Sequence, residues 1–184
     1  MRLILVTALA LIAAQAFAAN GTMKGDGSAE NPFQIEDYED LKAIGKGDYL
    51  YSSNYIVTKD IDASASKKEM CNQDGCNGFI SIGLNADAAG NSEFTGSIDG
   101  KEHNIRDLRI WLPCVHKIGF ISVLKGTVSN LNFDGLSVLG GADDDHDPTS
   151  YYVGGLAGQA SHSTIANVHI TRAQVQGQSY VGGL

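Results

Sequence analysis

The chain has 184 residues, of which 43% are hydrophobic and 18% are charged. This apolar fraction is large enough to fill a core, which excludes wholesale disorder, and the length is typical of a single domain. Thirteen basic residues against 21 acidic ones give a formal net charge of −8. So acidic a surface repels phosphate, which argues against nucleic acid and anionic lipid as partners.

The first eighteen residues have the pattern of a secretory signal peptide. Arg2 supplies a positive start, residues 3–12 form an apolar run, and residues 16–18 (AFA) have the small-x-small pattern that a signal peptidase requires. The run is too short to cross the hydrocarbon layer of a membrane, which disfavours the alternative of a membrane anchor. We therefore expect residues 1–18 to be cleaved on export, and the mature chain to contain no membrane span.

Residues 19–62 predict an N-terminal cap and the first strand that leaves it. Apolar residues recur every three positions from Ile35 to Ile44, and Asp37 is a candidate N-cap, so a short helix is expected here. A stacked repeat fold exposes the end of its core and needs a cap, and we assign that role to this helix. The segment YIVTKDID, at 55–62, is expected to be the first strand leaving the cap.

The next segment, residues 63–78, is polar and predicts a loop that holds two of the three cysteines. Cys71 and Cys76 enclose the turn-forming stretch NQDG. Because thiols of an exported chain can oxidise, we predict a disulfide between them. Cys114 is then left over, either free or paired outside the chain. A zinc site is the rival interpretation, but the cysteine and histidine spacing matches no zinc pattern, so we predict no metal site.

Internal repeats determine the predicted fold. The segment YVGGL occurs at 152–156 and again at 180–184, 28 residues later. A longer unit lies upstream of each YVGGL segment, and the two units match at a constant offset of 37 residues. This offset is nine residues longer than 28, and an insertion of nine residues between the earlier unit and its YVGGL segment explains the difference. The equivalent apolar pairs in the two units are Val128 and Ile165, Leu131 and Val168, Phe133 and Ile170, and Val138 and Val175.

A third, weaker copy is HNIRDLRI, in which Ile105, Leu108 and Ile110 occupy equivalent places, and IGF at 118–120 stands where VGGL stands later. Apolar residues at i, i+3 and i+5 indicate two alternating strand positions after a bend. Since Val, Ile, Ser and Thr are common here, each unit predicts about three short strands. Stacking the units pairs every strand in parallel and buries a continuous core, which predicts an all-β parallel β-helix. A β-sandwich is the alternative, but it does not require near-identical residues at a fixed offset.

In its motifs the chain resembles bacterial surface proteins that carry GLUG repeats, named for their Gly-Leu-x-Gly core. VGGLAG at 153–158 matches that core, and residues 181–184 begin another copy. The upstream segments GDGSAENPFQI, EDLKAIG, YIVTKDID, ISIG and FTGSIDGKEHNIRDLRI are similar, in that order, to the entry region of these proteins. The resemblance covers about residues 25–184 and implies a right-handed β-helix with an exported, cell-surface or extracellular location. Such repeats also occur in adhesin-like proteins and as appendages on immunoglobulin-cleaving metalloproteases.

Two features depart from that family pattern. IGF replaces VGGL in the first copy, and the sequence stops at Leu184 in the middle of a repeat. The second departure leads us to expect a fragment of a longer protein. Residues 63–184 are therefore interpreted as β-helix coils with GLUG-type repeats, truncated at the C-terminus.

Catalytic patterns are missing from the sequence. No histidine pair has the His-Glu-x-x-His spacing of a zinc peptidase, and there is no Gly-x-Ser-x-Gly nucleophile turn. In SIDGKEHNI, Asp99 is expected to form a turn with Gly100, and His103 to open the next strand. Gly154 and Gly155 recur as residues 182–183, which favours close backbone packing between coils over a phosphate loop.

The densest acidic cluster, residues 143–147, is either a cation or sugar site on a projecting loop or a solvated insertion. It lacks the calcium-loop pattern and has no accompanying Arg or Lys. As candidate ligand contacts we take Asp143, Asp145 and Tyr151, because an exposed tyrosine beside carboxylates can stack on a sugar ring. Tyr152 aligns with Tyr180 of the next coil and is expected to stack on it.

The sequence thus predicts a non-catalytic, exported β-helical repeat protein that needs no cofactor. Its role would be adhesin-like or glycan-binding, or that of a spacer, with surface glycans or another cell-surface protein as partners. A carbohydrate-active enzyme, either a polysaccharide lyase or a hydrolase, on the same scaffold is the first alternative. The second is the non-catalytic arm of a larger surface protease.

Overall fold

The computed structural model describes residues 23–70, 77–84, 91–113, 115–141 and 151–184, with the side chain of Tyr151 left out. The predicted signal peptide, all three cysteines with the predicted Cys71–Cys76 disulfide, and both Asp143 and Asp145 lie outside the described residues. Those predictions therefore stay predictions.

The regular secondary structure of the described residues is almost entirely β-strand, with one short α-helix, α1 (Tyr38–Ala43), and one 3₁₀-helix, Ser64–Lys68. No helix in this part of the chain is long and apolar enough to cross a membrane. The strands are β1 Phe33–Ile35, β2 Asn54–Val57, β3 Ile61–Asp62, β4 Asn77–Gly78, β5 Glu93–Phe94, β6 Ser97–Asp99, β7 Asn104–Arg106, β8 Arg109–Trp111, β9 Ile121–Leu124, β10 Thr127–Asp134, β11 Ser137–Leu139, β12 Tyr151–Gly154, β13 Ala157–Ala160, β14 Thr164–Thr171, β15 Gln174–Gln176 and β16 Ser179–Gly182.

The predicted short helix is confirmed. Asp37 is its N-cap, and the Asp37 carboxylate accepts a hydrogen bond from the backbone N–H of Asp40 at 3.0 Å. Such a side-chain bond satisfies one of the free N–H groups at the start of a helix. Tyr38 and Leu41 bury their side chains in the core, and Gly45, at φ +88°, follows the last turn.

Two elements near the N-terminus differ from the sequence-based expectation. A strand that was not predicted, β1, precedes α1 and pairs in parallel with β2. The predicted loop at 63–78 contains the 3₁₀-helix and β4. The 3₁₀-helix is tied to the sheet because Ser66 accepts a hydrogen bond from the backbone N–H of Arg109 at 2.9 Å, a contact across 43 residues that no local pattern indicates.

The predicted register of the repeats is confirmed. Strand β10 pairs in parallel with β14, which places Val128 beside Ile165, and β11 pairs with β15 in the same way. The two YVGGL segments are also adjacent, since β12 and β16 are parallel partners with Val153 opposite Val181. Residues 37 or 28 positions apart in sequence therefore lie side by side on neighbouring strands.

The third copy fits in a different register from the one that its i, i+3, i+5 spacing suggested. Ile105 pairs with Phe133, and Ile110 pairs with Val138, whereas Val128 is paired with Ile98 of β6. The reason is that the spacing recurs twice along the later unit, at residues 128, 131 and 133 and again at 133, 136 and 138. IGF does occupy the place of VGGL, because Ile118 is bridged in parallel to Val153.

Bends within and between strands fall at equivalent positions that adopt left-handed backbone angles. The bend predicted before Leu131 and Val168 is confirmed: the preceding residues, Asn130 and Asn167, have φ of +51° and +52°. Asparagine tolerates this region better than most residues with a Cβ. A second stack of such bends, 28 and then 37 residues apart, consists of Asp107, Gly135 and Arg172.

The strands form four sheets, and apolar side chains fill the space that the sheets enclose. One sheet has seven strands, in the order β1-β2-β6-β10-β7-β3 with β14 beside β10, and the others are β15-β11-β8-β4, β13-β9-β5 and β12-β16. All the pairings between these named strands are parallel except β4 with β8. Phe79, Phe120 and Phe133 are fully buried between the sheets. The chain is therefore an all-β protein built from parallel sheets.

The expected close packing at the double glycines is confirmed. A Cβ atom on Gly155 would collide with the carbonyl oxygen of Gly183, which follows β16, and would lie 2.9 Å from Cδ1 of Ile170. Only glycine allows two backbones to approach this closely.

Candidate functional site

In the sequence, the predicted ligand contacts lie at the start of β12 or shortly before it. Tyr151 is the first residue of this strand and pairs with Ser179 of β16. Asp143 and Asp145 precede it in sequence, but neither they nor the Tyr151 side chain are described. The proposal that these three residues contact a ligand is therefore not tested by the geometry.

The residue that follows Tyr151 forms an exposed aromatic surface. The rings of Tyr152 and Tyr180 stack with centroids 4.9 Å apart and planes at 10°, which confirms the predicted contact. They are 44% and 72% exposed. Both residues have left-handed backbone angles. So does Lys117, which precedes Ile118, the residue that is bridged to Val153 of β12. We call the exposed ring pair of Tyr152 and Tyr180 the tyrosine corner. Such a pair offers apolar area to a ligand in water.

A second outward-facing feature is a row of polar residues across four strands. Asp62 of β3 is paired with Arg106 of β7, then Asp134 of β10 and Thr171 of β14. Asp134 accepts two hydrogen bonds from the Arg172 guanidinium, each of 2.6 Å. The bond from Arg172 is the main reason that the pKa of Asp134 lies below its ordinary value. We call these five residues the polar row.

The carboxylate of Asp60 lies at the end of the polar row and contacts three donor groups and the His103 ring. It accepts hydrogen bonds from the backbone N–H of Asn104 at 2.9 Å and from the Asn104 side-chain amide, and its other oxygen contacts Arg106 at 2.5 Å. The His103 ring nitrogen Nδ1 lies 3.3 Å from the first oxygen. The bond from the Asn104 backbone is the largest of several effects that hold the pKa of Asp60 below its ordinary value.

His103 directly precedes β7, which confirms that it opens a strand, but its partner was not foreseen from the sequence. Asp99 does form the expected turn, since it accepts a hydrogen bond from the Lys101 backbone at 3.0 Å, and it is also bonded to Asn130. The two residues thus belong to different groups. Among the described residues no hydroxyl group is hydrogen-bonded to His103.

The described residues show no grouping of three or more His, Cys, Asp or Glu side chains that is suited to a metal ion. The acidic segment 143–147, which was considered as a cation site, is not among them.

Comparison with known proteins finds no protein-family model that matches the chain. The sequence is 36% identical over 170 residues to halomucin from the archaeon Haloquadratum walsbyi, an alignment that covers 91% of this chain and 2% of halomucin. A solved structure from Bacteroides ovatus, assigned by name to the immunoglobulin A1 proteases, is similar with a TM-score of 0.47 and 20% identity over 82% of this chain and 50% of that one. The chain thus spans about 2% of the length of its curated relative. The GLUG-repeat resemblance stays a prediction, and the archaeal relative does not support its bacterial part.

Proposed function

We propose that this chain is an exported, non-catalytic repeat module of a larger extracellular or cell-surface protein, and that its sheets coil into a right-handed parallel β-helix. The observation that carries the proposal is the in-register stacking of Ile98, Val128 and Ile165 on three successive parallel strands. A repeat that pairs only with its neighbours builds an elongated body with outward loops, which suits a spacer that displays binding surfaces.

The proposed role is adhesin-like, with surface glycans as the ligand class. Two observations support it: the stacked, exposed rings of Tyr152 and Tyr180 and the sequence similarity to halomucin over nearly the whole chain. The side chain of Tyr151 and the carboxylates of Asp143 and Asp145 are proposed to line the same surface. Sugar rings present C–H groups that pack against an aromatic face, and their hydroxyls donate to carboxylates.

The carboxylates of Asp134, in the polar row, and of Asp60, at the end of the row, support a structural role for this surface. Asp60 is held by Arg106 and Asn104, and Asp134 is held by Arg172. A polysaccharide lyase or hydrolase needs free acidic and basic groups that converge on substrate. Acids already neutralised by their own cations are poor candidates for that work, so the non-catalytic role is favoured over the enzyme.

The role is tested by incubating the purified mature chain with a glycan array and, separately, with uronic-acid polymers. We expect glycan binding that a Tyr152→Ala/Tyr180→Ala double variant weakens, and no release of reducing or unsaturated ends. Leu50→Ala serves as the control, because Leu50 is also exposed, at 55%, and lies outside the tyrosine corner. Release of new chain ends by the wild-type protein would show an enzyme and overturn the proposal.

Export is tested separately in the native host or a close relative. We expect the mature protein to begin at Ala19 and to be degraded when intact cells are treated with protease. A full-length chain that is protected in intact cells would contradict the extracellular location.

A further inference from the structure

A concave pocket lies in the N-terminal half of the chain, between α1 and residues 78–84. Its volume is about 140 Å³. From its lining we infer that it binds a six-membered ring that carries a carboxylate. This site is separate from the tyrosine corner, and the inference stands on the pocket alone.

The size and the walls of the pocket suit a single ring. A cavity of roughly 150 Å³ accommodates a six-membered ring such as benzene. Leu41, Ile44 and Ile82 line it and are buried residues of the core, so they supply an apolar floor. Tyr51, which is half-buried, adds an aromatic wall. One flat apolar surface and one aromatic face are what a ring can pack against.

Fixed polar groups stand at one side of this apolar floor. The Lys42 ammonium lies 2.7 Å from Oε1 of Glu69, and the Tyr38 hydroxyl donates to Oε2 at 2.7 Å. Burial alone would raise the pKa of Glu69, but the bonds from Lys42 and Tyr38 outweigh it and hold this pKa below its ordinary value. The bond to Glu69 in turn raises the pKa of Lys42. Both groups are therefore charged at neutral pH, and they are held in place to pair with ring substituents.

A second lysine makes the lining net positive. Lys46 lines the same pocket and is exposed, and its charge contributes to the lowered pKa of Glu69. In contrast to Lys42, Lys46 forms no ion pair with any residue that the structure describes. The lining carries two lysines and one glutamate, on a chain whose formal net charge is −8. Because Lys42 is paired with Glu69 and also with Glu39 outside the lining, Lys46 supplies the unpaired positive charge of the pocket. A locally positive concavity on an acidic protein attracts an anion, and a carboxylate is the anion that a lysine ammonium pairs with by a charge-assisted hydrogen bond.

The ligand chemistry has two sources, a uronic sugar and an aromatic carboxylate, and the experiment separates them. Binding of galacturonate, benzoate and glucose to the purified mature chain is measured by calorimetry and by amide shifts in ¹H–¹⁵N spectra. We expect a carboxylated ring to bind, with glucose at least about tenfold weaker, and the shifted amides to belong to residues 41–51 and 78–84. Whichever of galacturonate and benzoate binds more tightly identifies the source.

Lys46→Gln removes the unpaired charge, and because this residue is exposed the variant is expected to fold normally. We expect it to weaken binding of the carboxylated ring about tenfold, which is the effect of losing one charge-assisted hydrogen bond. Lys59→Gln is the matched control, since Lys59 pairs with Glu36 away from the pocket, and should bind like wild type.

Three results would overturn the site: glucose binding as tightly as the carboxylated rings, unchanged binding in Lys46→Gln, or no binding by any of the three compounds. None of them would affect the proposed extracellular role, which depends on the pairing of the coils.

Discussion

Truncating Phe120 to alanine tests whether the parallel sheets enclose one continuous core. The Phe120 side chain is fully buried. Its ring stacks on Phe79 with centroids 5.7 Å apart and meets the edge of Phe133 at 5.2 Å. Phe79 follows β4, whereas Phe133 lies on β10, so the Phe120 ring joins apolar groups from distant parts of the sequence.

The expected loss is about 4–5 kcal/mol of unfolding free energy. Truncating a buried phenylalanine to alanine costs about 3–5 kcal/mol, because transfer energy is lost and a cavity remains. Two aromatic contacts, each contributing about 0.5–1.5 kcal/mol, place Phe120 in the upper part of that range. Since a domain of this size is stable by about 5–15 kcal/mol, the variant would lose a large share of its stability.

The measurement is urea unfolding followed by far-ultraviolet circular dichroism and by the fluorescence of Trp111. Met70→Ala is the control, because this side chain is 83% exposed and its removal should change the free energy by less than about 0.5 kcal/mol. A double-mutant cycle with Phe133→Ala should give a coupling energy above about 0.5 kcal/mol. A loss below about 1 kcal/mol for Phe120→Ala would refute the continuous core.

Three further outcomes are expected. Gly155→Ala should lower the unfolding free energy by about 1–3 kcal/mol through overpacking against Gly183, whereas Gly183→Ala, whose Cβ meets open space, should not; thermal unfolding of the two variants checks this. Asn130→Val should be less stable than Asn130→Gly by about 1–2 kcal/mol, because φ is +51° there; equal urea midpoints would contradict the bend. The pKa of Asp60 is lowered in the folded state, so its contribution to stability is present above the ordinary value of 3.8 and is lost as pH falls through the folded-state pKa. The difference in melting temperature between wild type and Asp60→Asn should therefore shrink on acidification, and a constant difference down to pH 2 would show that the Asp60 carboxylate is not stabilised by its donors.

The pairing of the repeats could be predicted because the same apolar positions recur at a constant offset. Val128 and Ile165 occupy equivalent places, and a parallel stack is the arrangement that buries both along one row. The stacking of Tyr152 on Tyr180 followed from the same alignment. The N-cap at Asp37 was predictable for a different reason, since capping depends on a few neighbouring residues.

Contacts between side chains that do not recur from coil to coil were beyond this reasoning. Asp60 meets His103 across 43 residues. The strands that follow these two residues, β3 and β7, belong to the stack, but no Asp–His pair stands at the equivalent places in β10 and β14. The register of the third copy failed for a related cause. Lys101 and Glu102, both with left-handed backbone angles, lengthen the turn between β6 and β7. The apolar i, i+3, i+5 spacing that begins at Ile105 therefore matches the one that begins at Phe133, and not the one that begins at Val128.

The residues that carry the proposed binding functions lie at outward positions, which the stacking of the coils does not dictate. Alternation along a strand sends one set of side chains to the core and the other to solvent, and only the inward set must match from coil to coil. Tyr180 and Lys46 are both exposed, and Lys46 lies in the non-repeating N-terminal part. Outward positions can change without loss of the fold, so the pattern that identifies the architecture carries little information about the ligand. Measurements on exposed residues, each with a matched exposed control, are therefore the ones that decide what the protein binds.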